Sequence, residues 1–211
     1  MTSKQIRKMA REMHRPPTTA EKALPPVIVY ENASDQTEDL QSYEVWTDGS
    51  YREGGRGSWS AVIASVGGKR IISGQISQCE GSSEAELLAV VQALSYIKDR
   101  SRVRIYTDYQ SMTTLARKGN LRKLAKQGWV RRGRPVPHRK HWEELLPLLE
   151  KHEVRFEWVK AHSGLENNEL CDDVAGILSS IPFNAESLIS CGKDSESLRI
   201  SLRDFVEKMG R

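Results

Sequence analysis

The sequence predicts an α/β fold: a five-stranded mixed sheet, three antiparallel strands followed by two parallel ones, flanked by helices. Short glycine-rich connections join the first three apolar runs after residue 43, which favours hairpins. A helical stretch from Ser82 or Ser83 to about Lys98 separates the third run from the fourth, and a crossover that long is what parallel pairing needs. A last alternating run lies between two further helical segments.

Taken in order, the strands fall near 43–48, 58–66 and 69–77, with turns at Gly54, Gly55 and Gly57 and at Gly67-Gly68. Ser82 or Ser83 can cap the first helix, whose apolar residues include Leu87, Leu88, Val91 and Leu94. Arg102 to Thr107 is a strand parallel to the first. Helical stretches follow through 110–127, Pro135 and Pro137 break the chain, and another helix covers about 139–151. Val154, Phe156 and Trp158 alternate with polar residues in a strand reaching Lys160, and a helix near 167–179 closes the domain. Residues 1–42, with Pro16-Pro17 and Pro25-Pro26, read as a basic arm and linker. Residues 182–211 read as an extension whose stripe Leu198, Leu202, Phe205, Val206 and Met209 marks an amphipathic helix.

Composition narrows the classes. At 211 residues and 38% hydrophobic content the chain supports one folded domain with tails. Its three cysteines, Cys79, Cys171 and Cys191, have neither CxxC nor zinc-ligand spacing, so a reducing, cytoplasmic setting is expected. No apolar run approaches the roughly 20 residues of a membrane span, and no secretory signal opens the chain. The basic start leaves mitochondrial targeting as an alternative. Net charge is +4, but residues 109–142 contain no Asp or Glu and hold ten of the 32 Lys and Arg, so 22 basic residues face 28 acidic ones elsewhere. Such a patch reads as a surface for a phosphate backbone, or as a solvated helix face.

Four carboxylates in four segments are the candidate chemistry: Asp48 and Asp108 after apolar runs that end in Thr-Asp, Glu86 early in the first helix, and Asp172 in the last. A carboxylate at the end of an apolar strand is expensive unless paired or bound to a metal, although Asp-Gly is also a common turn dipeptide. In open α/β sheets the ligand crevice lies beyond the carboxyl ends of the strands, where a divalent-metal site would be built.

The motifs Thr47-Asp48-Gly49-Ser50, Ser83-Glu84-Ala85-Glu86-Leu87, Tyr106-Thr107-Asp108-Tyr109-Gln110-Ser111, and Trp158-Val159-Lys160-Ala161-His162-Ser163-Gly164 through Asn168-Glu169-Leu170-Cys171-Asp172 together resemble type 1 ribonuclease H over residues 43–180. That resemblance implies a ribonuclease H-like fold, with residues 43–181 as the catalytic domain and 117–141 as the basic protrusion of bacterial members. It implies endonucleolytic hydrolysis of RNA paired to DNA, giving 5′-phosphate and 3′-hydroxyl products. Asp48, Glu86, Asp108 and Asp172 would be the catalytic carboxylates holding two Mg2+ ions, with Mn2+ a substitute, and His162 the mobile catalytic histidine. Two such ions can clamp the attacking and leaving oxygens of an in-line displacement.

Glu84 and Asp173 are the rival neighbours of Glu86 and Asp172, set aside because the Ala-Glu-Leu register matches the family. Ser82, Ser83 and Gln110 stand where the family reads the minor groove, with serines where many members carry Asn. Arg122, Lys123, Lys126, Trp129, Arg131, Arg132 and Arg134 are the candidate contacts to the hybrid, Trp129 either stacking on a base or packing beneath the loop. His138, His141 and His152 are expected to be solvated or phosphate-facing. The expected partner is an RNA/DNA hybrid bound by a monomer, and the C-terminal helix could recruit a protein. The rival functions are another nuclease or strand-transfer enzyme of the same superfold, and a catalytically silent hybrid-binding module.

Overall fold

The computed structural model describes residues 28–30, 40–116, 119–162, 164–180 and 189–191, the first and last of these as backbone. The expected amphipathic helix in 194–209 and the helical start of the arm lie outside the described residues. The strands are β1 (Ile28–Tyr30), β2 (Ser42–Arg52), β3 (Arg56–Ser65), β4 (Gly68–Ile76), β5 (Arg102–Thr107), β6 (Val130–Arg131), β7 (Arg134–Pro135), β8 (Glu153–Trp158) and β9 (Ile189–Cys191). The helices are α1 (Ser82–Tyr96), α2 (Gln110–Leu115), α3 (Asn120–Lys126), α4 (Arg139–Lys151) and α5 (Glu166–Ser180).

The central five strands run in the order β8-β5-β2-β3-β4. β2, β3 and β4 pair antiparallel, and β5 lies parallel to both β2 and β8, as the connection lengths predict. Two three-residue strands extend the sheet at its edges, β1 beside β8 and β9 beside β4. Their pairing draws short pieces of both terminal segments onto the sheet, which apolar periodicity in so few residues does not announce.

Alternation along the strands sorts the core into two layers. Val45, Trp59, Ala61 and Ile63 pack under α1 and α4, whereas Val62 and Ile71 pack under Leu170, Cys171, Val174 and Leu178 of α5. α1 buries Leu87, Val90, Val91 and Leu94 together with Ala85, Ala89 and Ala93, because it is pressed between the sheet and α4. Its first turn differs from expectation. Neither serine caps it; Gly81 holds the cap position, and the Glu84 carboxylate accepts a hydrogen bond from the Glu80 N–H at 2.7 Å. The expected helical run of 110–127 is two helices, the second beginning after Gly119, whose φ of 74° suits glycine.

The basic segment folds as α3 and the β6–β7 ribbon. Trp129, one of its candidate substrate contacts, is only 4% exposed and belongs to the core under α1 and α4. It therefore packs beneath the loop and offers no face for a base to stack on. Among the described residues no helix is long and apolar enough to cross a membrane.

Candidate active site

Register places the first two carboxylates side by side. Trp46 of β2 pairs with Tyr106 of β5, so Asp48 and Asp108 follow at the same level, two residues on. Asp108 lies just past the end of β5, as expected. Asp48 does not end its strand: β2 continues to Arg52, with Asp48 opposite Ser60 and Arg52 opposite Arg56 in the ladder to β3. The polar residues 49–52 stay extended because β3 pairs with them, not because they bury apolar surface.

Glu86 comes from α1, which lies directly on β2. Gly49 makes that approach feasible: a Cβ there would sit 2.3 Å from Glu86 N and 2.4 Å from the carbonyl carbon of Ala85. The Gly49 N–H also donates to Asp48 Oδ1 at 2.7 Å. Gly49 is thus a positioning residue, although Asp-Gly reads in the sequence as a turn.

Asp172 reaches the same crevice from the opposite face. Cys171 Sγ donates to Trp46 O at 3.3 Å and Ser58 Oγ donates to Ala175 O at 2.6 Å, holding α5 against β2 and β3. His162 Nδ1 lies 3.3 Å from Asp172 Oδ2, with the imidazole largely exposed and the backbone at φ 51°. Glu169 accepts a hydrogen bond from Gly164 N–H at 2.9 Å and so ties down the far end of the His162 loop. Trp158 Nε1 donates to Asp108 O at 3.1 Å, which holds the main chain of that carboxylate to β8.

Asp48, Glu86, Asp108, His162 and Asp172 line one crevice of about 190 Å³. One carboxylate oxygen each from Asp48, Glu86 and Asp108 lie within 4.8 Å of one another. Burial pushes the Asp48 carboxyl up to about 6, the nearby Asp108 and Asp172 charges adding to the rise and the Glu86 contact opposing it. Burial raises Glu86 well above its ordinary value, with the charge of Asp48 and a hydrogen bond to it adding further. Burial thus disfavours the ionised form of both carboxyls. Burial also raises Asp108, helped by Asp172 and opposed by His162.

Such a set is compatible with a divalent cation on its own chemistry. Glu86 Oε2 is buried without a hydrogen-bond partner and three acidic oxygens converge, so a positive charge among them would offset their mutual repulsion. Asn168, which the sequence reading did not single out, lines the crevice 3% exposed with its Oδ1 likewise unpartnered.

The remaining candidates are dispersed. Glu84 turns away from the crevice, and Asp173 is exposed outside it. Ser82 and Gln110 are exposed in the first turns of α1 and α2, whereas Ser83 Oγ is engaged with His138 Nε2 at 3.1 Å. Lys123, Lys126, Arg131, Arg132 and Arg134 are exposed, and Arg122 meets Glu150 at 2.8 Å. The other three histidines among the described residues are not solvated: His152 is fully buried, and the side chains of His138 and His141 are 9% and 12% exposed against glutamates. Contacts made across more than 50 residues carry no local signal.

The RNase H family profile matches residues 40–179. The Ribonuclease H of Nitratidesulfovibrio vulgaris (strain Miyazaki F) is 38% identical over 138 residues, which is 64% of this chain and 88% of that protein. The Ribonuclease HI of a Synechocystis species is 35% identical over 136 residues, 64% of this chain and 85% of its own. Among solved structures, LC9-RNase H1, a type 1 RNase H with the type 2 active-site motif, superposes with a TM-score of 0.62 at 20% identity, over 80% of this chain and 86% of that one. A foamy viral protease-reverse transcriptase in complex with RNA/DNA hybrid superposes with a TM-score of 0.53 at 19% identity, over 85% of this chain and 27% of that one.

Proposed function

The chain belongs to the RNase H family, and on that premise we propose that it is an endoribonuclease that hydrolyses the RNA strand of RNA/DNA hybrids. The observation that carries this reading is the crevice in which Asp48, Glu86, Asp108 and Asp172 converge from β2, α1, the end of β5 and α5. Asp48, Glu86, Asp108 and Asp172 would hold a pair of Mg2+ ions, with Mn2+ as a substitute, and these would supply neutralisation of charge on the attacking and departing oxygens.

The protein's own part is to position and to handle protons. Gly49 keeps Glu86 against Asp48, and the β2–β5 register keeps Asp108 level with Asp48. A water molecule gives up a proton as its oxygen bonds to phosphorus, the bond from phosphorus to O3′ breaks, and O3′ takes up a proton, leaving 5′-phosphate and 3′-hydroxyl ends. His162, exposed and 3.3 Å from Asp172, is placed to carry a proton between the crevice and solvent.

The RNA strand is distinguished by contacts to its 2′-hydroxyls, for which exposed Ser82 and Gln110 are the available groups. Arg122, Lys123, Lys126, Arg131, Arg132 and Arg134 present the cationic surface to the phosphate backbone, with Trp129 supporting it from below. The test is cleavage of an end-labelled RNA/DNA hybrid beside RNA/RNA, DNA/DNA and single-stranded controls, with Mg2+ or chelator. Cutting confined to the hybrid and dependent on metal is expected. Asp48→Asn should lower the rate by roughly 10³-fold or more, since removing one of these carboxylates costs several kcal/mol of transition-state charge stabilisation. Cutting of branched or duplex DNA instead would overturn the substrate assignment.

A further inference from the structure

On the opposite side of α1 from Glu86 lies a second cluster, independent of the crevice. Glu80 and Glu84 flank the start of α1, and His138 holds the N-terminal cap position of α4. One ligand atom from each of these three residues lies within 4.8 Å of the other two. We propose that they form a second divalent-metal site, suited to a transition ion of the zinc type, which clips the start of α1 to the start of α4.

His138 is the observation that points to a ligand. Its side chain is 9% exposed, and its buried Nδ1 makes no hydrogen bond, although Glu80 Oε2 stands 3.3 Å away. Nε2 lies 3.1 Å from Ser83 Oγ, a contact that either tautomer can make. With a ring N–H donating there, Nδ1 would be a lone pair facing the Glu80 carboxylate, an arrangement that a cation between them would satisfy. The spacing suits one: ligand atoms about 2.1 Å from a tetrahedral ion stand about 3.4 Å apart, close to the 3.3 Å observed.

Glu84 completes the set with its orientation already fixed. Its Oε2 accepts from the Glu80 N–H at 2.7 Å, and its Oε1 faces His141 Nε2 at 3.1 Å, with His141 Nδ1 in turn 3.4 Å from Glu144. Each carboxylate oxygen keeps a second lone pair for an ion, and these partners are the outer contacts that hold metal ligands in place. One imidazole with two carboxylates is a mixed nitrogen and oxygen donor set, which selects zinc-like ions over Mg2+, whereas the crevice beyond Glu86 offers carboxylates. Glu84 and Glu86 are two positions apart, roughly 200° around the helix, so one ion cannot serve both.

The test uses the full chain carrying Asp48→Asn and Asp172→Asn, which disables the crevice as a competing site. Co2+ is titrated in the presence of excess Mg2+, followed by its ligand-field absorption, and then displaced with Zn2+. A saturable spectrum that Zn2+ abolishes is expected. It should disappear in His138→Ala and require at least ~10-fold more Co2+ in Glu80→Gln. Because the Glu80 side chain is 74% exposed, its substitution leaves the fold intact, which a melting curve in chelator checks. No saturable spectrum, or the same spectrum and affinity in both variants, would overturn the proposal.

Discussion

Two residues apart on α1, Glu84 and Glu86 belong to clusters whose charge is neutralised in different ways. Burial acts to raise the Glu84 carboxyl, but the Glu80 N–H, His141 and His138 outweigh it and hold it below its ordinary value. Around Glu86 the neighbours are Asp48 and Asp108, so burial and repulsion act in the same direction. The Glu84 carboxylate is satisfied by donors of the protein itself, and within its cluster it is the buried His138 Nδ1 that lacks a partner. The crevice instead leaves its carboxylates to one another, so the two clusters differ in which group a cation would satisfy.

The largest effect expected from this contrast is on stability against pH. The folded Asp48 carboxyl titrates at about 6 instead of 3.8, so between these values the folded chain binds more protons than the unfolded one. Stability from this group is therefore greatest below pH 4 and is lost as pH rises through 6, by about 3 kcal/mol in all. Denaturant unfolding in chelator should show this fall between pH 4 and 7, Mg2+ should restore the loss, and Asp48→Asn should flatten the curve by removing the group that titrates. A chelated protein that gains stability across that interval would mean that the carboxylates are not held against one another.

Gly49→Ala tests the same packing sterically. The added methyl would meet α1 backbone, which cannot rotate aside, so the helix must lift from β2 and carry Glu86 away from Asp48. A loss of about 1–3 kcal/mol is expected, as for other overpacked sites. Cleavage should fall by more than that stability loss explains, with hybrid binding retained. Ala at a nearby open position, Gly176, has nothing within 4 Å of its Cβ and serves as the control.

The strand pattern and the place of Asp108 just past β5 were legible in the sequence because period-two alternation is a local consequence of burial. β2 beyond Asp48 was not, since residues 49–52 are polar and owe their conformation to β3. Gly49 reads as a turn former because only the position of α1 reveals the need for a missing side chain. Trp129 sits in a cationic segment whose composition suggests a nucleic-acid surface, and only the fold shows its indole turned into the core. His138 and His141 escaped for the same reason: their partners Glu80, Ser83 and Glu84 lie more than 50 residues away in the chain.

The smallest expected effect, and the one that separates the clusters by sign, is Glu84→Gln measured in chelator. Glutamine keeps an acceptor for the Glu80 N–H but removes the charge facing His141, so the loss should be about 1 kcal/mol, the scale of a charged hydrogen bond in a half-buried setting. Glu86→Gln under the same conditions at pH 7 should raise stability, because it removes a carboxyl whose ionised form burial and the Asp48 charge both penalise in the fold. Urea unfolding of the two variants beside the parent is sufficient. Opposite signs at positions two residues apart would mean that neutralisation, rather than burial, decides whether a carboxylate on this helix stabilises the fold; equal signs would mean that desolvation dominates at both positions.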